Sequence, residues 1–307
     1  MTEALPKTHT MQTHPSLLIL ALRAAFCLAP VSGWADFVYV SNTNSNTIER
    51  FTESGIGSVF ATTSSSPRGL AFDSAGNLYV AYPSLNIIEK FSSTGVDLGP
   101  FVSTSLSTPE GLAFDSGGNL YASNLANHTI RRFTATGFDL GTFASTGLTS
   151  PFGIAFDSTG NLFAANSDTG NIQKFTQFGV GSFFGSPGQF GVAVDTFGNV
   201  YSATGSLTIT KVTPAGVSSS FATTSTDPFG LAFDSAGILY ATFPGTNSIE
   251  RFASNGTSLG TFANTGLDSP NFITTHVPEP SSALLLLSSG ILLFRCRTLR
   301  THERNAS

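Results

Sequence analysis

Between residues 36 and 276 the apolar positions come in short bursts, cut apart by clusters of Gly, Asn, Asp and Ser. Bursts of this length between turn signals read as β-strands rather than helices. One segment, G-L-A-F-D-S-A-G-N-L-Y at Gly69–Tyr79, recurs in close copies at Gly111–Tyr121, Gly153–Phe163, Gly191–Tyr201 and Gly230–Tyr240, about every 40 residues. A fixed period of that size marks a repeat architecture, in which each unit buries its apolar face against the next.

Each copy divides into four predicted strands: P-x-G-L-A-F-D (Pro67–Asp73), Asn77–Ala81, Asn86–Phe91 and Gly95–Phe101. The Asp and Gly of the first turn recur at Asp73/Gly76, Asp115/Gly118, Asp157/Gly160, Asp195/Gly198 and Asp234/Gly237. Asp bonds its own downstream backbone and Gly takes the positive-φ position, so these are turn residues. One carboxylate per turn is too few for Ca²⁺, which needs several oxygens. Register is tight: an aromatic in the second strand and one ending the third lie twelve apart at Tyr39/Phe51, Tyr79/Phe91, Tyr121/Phe133, Phe163/Phe175 and Tyr240/Phe252. Tyr201/Val212 is one residue shorter. Second, third and fourth strands occur six times, but only five full first strands precede the last, Pro270–Thr274. The expected fold is therefore all-β, a six-bladed β-propeller of four-stranded blades. Its last strand returns to complete the blade that the chain begins, which removes free edges at the closure. Gly69 and Ala71 suit the crowded axis, and most of the 28 phenylalanines suit packing between blades.

The P-x-G-L-A-F-D-S-x-G-N-L-Y repeat resembles NHL-type propeller repeats, and relatives of similar appearance include virginiamycin B lyases and gluconolactonase-like enzymes. That resemblance is specific for fold and weak for activity. Residues 36–276 hold 16 acidic and 8 basic side chains, a balance of −8 with His neutral. No cationic cluster is present to displace counterions, which argues against nucleic acid. Residues 1–35 have the order of a signal peptide: Lys7, an apolar run Leu17–Leu28, and the small-residue site Gly33-Trp34-Ala35. The start is Met1 or Met11. Neither cysteine, Cys27 or Cys296, lies in the body, so the expected propeller stands without disulfides.

Behind it, residues 277–300 read Val277-Pro278-Glu279-Pro280, an apolar stretch Ala283–Phe294, then Arg295, Arg297 and Arg300; residues 301–307 are a short tail. This closely resembles the PEP-CTERM sorting signal of Gram-negative bacteria. The resemblance implies a short transmembrane helix and processing by an exosortase near Pro278, Glu279 and Pro280. Arg295 and Arg297 would hold the end on the cytoplasmic side. It also implies passage through the inner membrane to the cell surface or an exopolysaccharide matrix.

Candidate binding residues follow from topology. The x of P-x-G rings one channel mouth: Arg68, Glu110, Phe152, Phe190, Phe229 and Asn271. Three aromatics beside Arg and Glu suit a sugar or a peptide end; the phenylalanines read equally well as a plug of the channel mouth. The ends of the second strands add Asn42, Tyr82, Asn124, Asn166, Thr204 and Phe243 to that face. Resemblance to gluconolactonase-like enzymes implies Ca²⁺ or another divalent cation there. The nearest donors are Glu110, Asn124 and Asn166, with Asp168, Asp227 and Asp268 in neighbouring loops. A lyase-like enzyme implies a general acid and base. Of the two histidines in the body, His128 aligns with Asn46, Asn86 and Asn247 on a loop, and His276 borders the linker, outside the ring. H-E-x-x-H and phosphate-loop motifs are absent. Two readings stand: a cofactor-free surface or matrix module that binds glycan or protein, and a metal-dependent lactonase or streptogramin-lyase-like enzyme.

Overall fold

Every predicted blade forms. The computed structural model describes residues 36–277; the leader over 1–35 and the sorting segment from Pro278 onward lie outside them. Six antiparallel sheets of four strands follow one another around an axis. Blades 2 to 6 open with the first strands Leu70–Phe72, Pro109–Phe114, Pro151–Phe156, Val192–Val194 and Leu231–Phe233. Blade 1 comprises Phe37–Asn42, Thr47–Phe51 and Gly57–Thr62, completed by Pro270–His276 from the far end of the domain. Among the described residues no helix is long and apolar enough to cross a membrane.

The repeat is built by local chemistry. Asp73 Oδ1 accepts the backbone N–H groups of Ala75 and Asn77 (3.0 and 2.8 Å), while Oδ2 accepts Asn77 Nδ2 and Tyr79 O–H. The same set recurs around Asp115 and Asp195. It satisfies the turn donors and anchors the second-strand tyrosine between blades. Phe51, Phe91, Phe133, Phe175 and Phe252, which end the third strands, are fully buried. Truncating any of them to Ala costs about 3–5 kcal/mol.

A belt of hydrogen bonds around the axis ties blade to blade. In blades 2, 4 and 5 the N–H of Gly69, Gly153 and Gly191 donates to the carbonyl of Glu110, Phe190 and Phe229 in the next blade, at 2.9, 3.2 and 2.8 Å. In blades 3 and 6 a hydroxyl relays the link. Gly111 N–H donates to Ser123 Oγ, which donates to Phe152 O; Gly230 N–H donates to Thr242 Oγ1, which donates to Asn271 O. These glycines are needed for space: a Cβ on Gly153 or Gly191 would sit 2.5 Å from the facing carbonyl oxygen.

Blade 1 departs from the rule, because Phe272 occupies the Gly position of the sixth copy. Its N–H donates to Ser41 Oγ in its own blade (3.0 Å), across a register slip between Val40 and Asn42. The seam between blades 1 and 2 is spanned by side chains instead: Arg68 Nη1 donates to Asn271 Oδ1 at 2.6 Å, and Ser66 Oγ to Thr43 O at 2.7 Å.

His276 is not outside the ring. It is the last residue of the closing strand, pairs with Phe37, occupies the Asp position of the repeat, and stacks on Phe72 with ring centroids 4.3 Å apart.

The belt predicts a sharp contrast between glycines. Gly191→Ala should destabilise the ring by about 1–3 kcal/mol through overpacking. Gly245→Ala, where the added Cβ meets nothing within 4 Å, should stay within about 0.5 kcal/mol of wild type. Urea unfolding of both variants measures the difference.

Candidate functional site

The P-x-G segment leads each first strand toward the axis, so its x residue stands at the channel mouth. The six residues there sort into two groups. On one side Phe152, Phe190 and Phe229 meet one another and Phe272. Phe152 stacks on Phe272 (5.3 Å, 10°) and Phe190 on Phe229 (4.6 Å, 21°); Phe152 meets Phe190 and Phe229 edge-on at 5.7 and 5.3 Å. Offset and edge contacts of this kind are the favoured aromatic geometries. Together the four rings close the mouth. Beyond them lies a channel segment of about 270 Å³, lined by first-strand residues such as Leu112, Ile154, Val192 and Ile273.

On the other side Arg68, Glu110 and Asn271 converge. Asn271 is oriented by Nδ2 donating to Thr43 Oγ1 (2.9 Å) and Ser269 O (3.0 Å), which turns its Oδ1 toward Arg68. Glu110 is only 5% exposed; its Oε2 lies 3.9 Å from Arg68 Nε and is buried without a hydrogen-bond partner. Burial pushes the Glu110 carboxyl up to about 7, against the lowering effect of the Arg68 charge.

Above both groups an open basin of about 800 Å³ spreads over the face. Phe190 and Phe229 contribute its apolar floor, and Asn44, Arg68, Asp227 and Asn271 its polar rim. Glu110 lies outside that lining, behind Arg68.

The remaining candidates serve the loops. Asn42, Asn124 and Asn166 are fully buried, and their amides hold neighbouring backbone. Ser107 N–H donates to Asn124 Oδ1 (3.0 Å) and Thr149 N–H to Asn166 Oδ1 (3.0 Å), while Asn166 Nδ2 donates to Gly147 O (2.9 Å). Tyr82, Thr204 and Phe243 are buried as well. Asp168, Asp227 and Asp268 each serve a different loop, accepting from Ser150 Oγ, Leu207 N–H and Asn44 Nδ2. Among the described residues no three His, Cys, Asp or Glu side chains gather as a metal-holding group. Of the three candidate cation donors, Asn124 and Asn166 hold loop backbone and Glu110 lies beside Arg68. His128 occupies a positive-φ loop position, and its Nδ1 accepts the Ser150 N–H at 2.8 Å.

Sequence reasoning missed Phe272. Its signal was visible: a phenylalanine stands where the five other copies have Gly69, Gly111, Gly153, Gly191 and Gly230.

No family model and no curated protein sequence matches this chain. Its fold is similar to a chain of the nidogen/laminin complex (TM-score 0.70, 21% identity, covering 78% of this chain and 98% of that one). It is also similar to virginiamycin B lyase from Staphylococcus aureus (TM-score 0.57, 16% identity, 77% and 78% covered). A third is a gluconolactonase, XC5397, from Xanthomonas campestris (TM-score 0.59, 18% identity, 69% and 84% covered). The fold thus serves binding proteins and enzymes alike, and this chain shares the fold with both.

Glu110 makes the stability pH-dependent with a definite sign. Its folded-state carboxyl titrates near 7 and an unfolded one near 4.5, so between those values the folded state holds the extra proton. Stability is then full below about pH 4.5 and falls as pH rises through 7, by up to about 3 kcal/mol. Glu110→Gln should flatten that slope in unfolding experiments run from pH 5 to 8.

Proposed function

We propose that this chain is an exported propeller, sorted by an exosortase to the cell surface or its polysaccharide matrix, whose Arg68 face binds a glycan. The basin is the observation that carries the binding reading. Its volume is in the range of ligand sites, and it pairs an apolar aromatic floor with a few fixed polar groups. Thr43, Ser66, Ser225 and Thr226 add hydroxyls around it. Such a lining matches a ring that presents C–H faces and hydroxyl edges. Arg68 is 31% exposed at its side chain and already oriented by Asn271, so little ordering entropy remains to be lost on binding.

Export and sorting are supported by residue order at both ends: basic residue, apolar run and small-residue site at the start, then Pro278-Glu279-Pro280, apolar stretch and Arg295 with Arg297 at the finish. A fold neighbour drawn from a protein–protein complex agrees with a binding role.

Catalysis from the same face is the second reading, and it rests on Glu110. A carboxyl titrating near neutrality suits proton transfer. Its position behind Arg68, outside the basin, favours the binding reading.

In affinity electrophoresis through matrix polysaccharide, the protein should be retarded, and Arg68→Gln should weaken retention by roughly tenfold. Absence of binding to every matrix component would count against the glycan assignment. Intact mass of the surface-exposed form should lack residues 1–35 and everything beyond the Pro-Glu-Pro region. A form retaining Phe294 and Arg297 contradicts exosortase processing.

A further inference from the structure

Strand direction alternates within each blade, so the turn between the third and fourth strands lies on the same face as the Asp turn between the first and second. In all six blades this outer turn closes alike. The carbonyl of its last residue accepts the N–H of the residue four before it, as Ile56 does from Thr52 and Thr257 from Ala253. The backbone does this work, and Thr257 shows that a polar side chain suits the position. Yet the other five copies carry Ile56, Val96, Phe138, Val180 and Val217, each between 59 and 70% exposed. Phe178, in the same turn of blade 4, is 81% exposed.

The two faces differ sharply in this respect. Among the described residues, the loops of the basin face hold only two exposed large apolar side chains, Leu85 and Leu207, at 48 and 46%. The Asp-turn face holds the six above, and adds Phe197 on an Asp turn and Val277 beside the closing strand. Exposed apolar groups concentrated on one face mark a contact surface. Because equivalent turns of equivalent blades carry them, they stand around the perimeter of the ring and not in one pocket. That arrangement fits a broad apolar surface better than a compact ligand. Glu53 and Asp97 stand exposed among the tips, so the surface they meet is not an anionic one.

The course of the chain supplies such a surface. The closing strand ends at His276 on this face, level with Phe37. Only residues 278–282 separate Val277 from the apolar stretch Ala283–Phe294 and the arginines behind it. Those six steps reach about 20 Å at full extension.

We propose that the Asp-turn face docks on the lipid bilayer that holds the Ala283–Phe294 stretch, with the turn tips entering the interface and Pro278–Pro280 kept at its surface. The proposal rests on the sorting reading for the anchor and adds an orientation for the ring. Apolar side chains gain by leaving water at a bilayer interface. The short tether makes their contact an intramolecular one, so individually weak tips suffice.

The test reconstitutes the full chain into phosphatidylcholine vesicles with bromine-labelled acyl chains. Two tryptophan reporters are compared, Phe178→Trp on the Asp-turn face and Leu85→Trp on the basin face, each with Trp34→Phe. The chain should float with the vesicles, and the lipid should quench Phe178→Trp while leaving Leu85→Trp bright. Adding Ile56→Ser, Phe138→Ser and Val180→Ser should abolish the quenching without changing flotation or the melting temperature, since all three side chains are exposed. A chain that floats with neither reporter quenched, or both equally, overturns the docking and leaves the anchor standing. Quenching that survives the three serines overturns the role of the turn tips. A chain that does not float overturns the anchor and the docking together. A vesicle-free dimer dissolved by the three serines, with no quenching in vesicles, assigns the face to a second copy instead.

Discussion

The approach of first strands around the axis is the constraint on which the rest of this molecule turns. At each of five blades a glycine N–H reaches the next blade's carbonyl, directly or through one hydroxyl. No side chain fits between strands that close. The identity of one small residue therefore sets the ring's diameter, and the residue just before it is held at the mouth. Phe272 breaks the belt at one point and uses the space to stopper the channel. Arg68 and Asn271, two of the variable mouth residues, then act as the clasp across the seam that Phe272 leaves. Closure and candidate recognition are thus served by the same side chains.

Much of this was legible in the residues. Twelve-residue aromatic spacing set the strands, and counting strand types showed that Pro270–His276 must return to blade 1. These features are local or periodic, so one copy predicts the others. What the sequence concealed was direction and partnership across long separations. Asn124 and Asn166 look like free oxygen donors, but their amides are consumed by loops about twenty residues upstream. Arg68 and Asn271 are 203 residues apart and meet only because the ring closes. Phe190 and Phe229 were ambiguous for a physical reason: the same rings pack the mouth below and floor the basin above.

Variation between copies separates the two faces. On the Arg68 face the x residues are Arg68, Glu110, Asn271 and three phenylalanines, and the surface becomes a basin. On the opposite face the Asp turns are nearly uniform, and Phe197 stands out as a large side chain where the sister turns have Ala75, Gly117, Thr159 and Ala236. In both places the information lies where a copy fails to match its siblings, because matching positions are already spent on hairpins, the belt and packing between blades.

The closing strand also gives the ring a polarity. His276 ends level with Phe37, and the carboxylate of Asp36 accepts the backbone N–H of Ser235 in an Asp turn of blade 6. Both ends of the body therefore emerge on the Asp-turn face, beside one another in one blade. Anything tethered through Val277 holds the disc from that side. The basin therefore faces away from both ends of the body, while Phe197 lies on their side. The two faces of the ring thus meet their surroundings with different chemistry, one beside the chain ends and one opposite them.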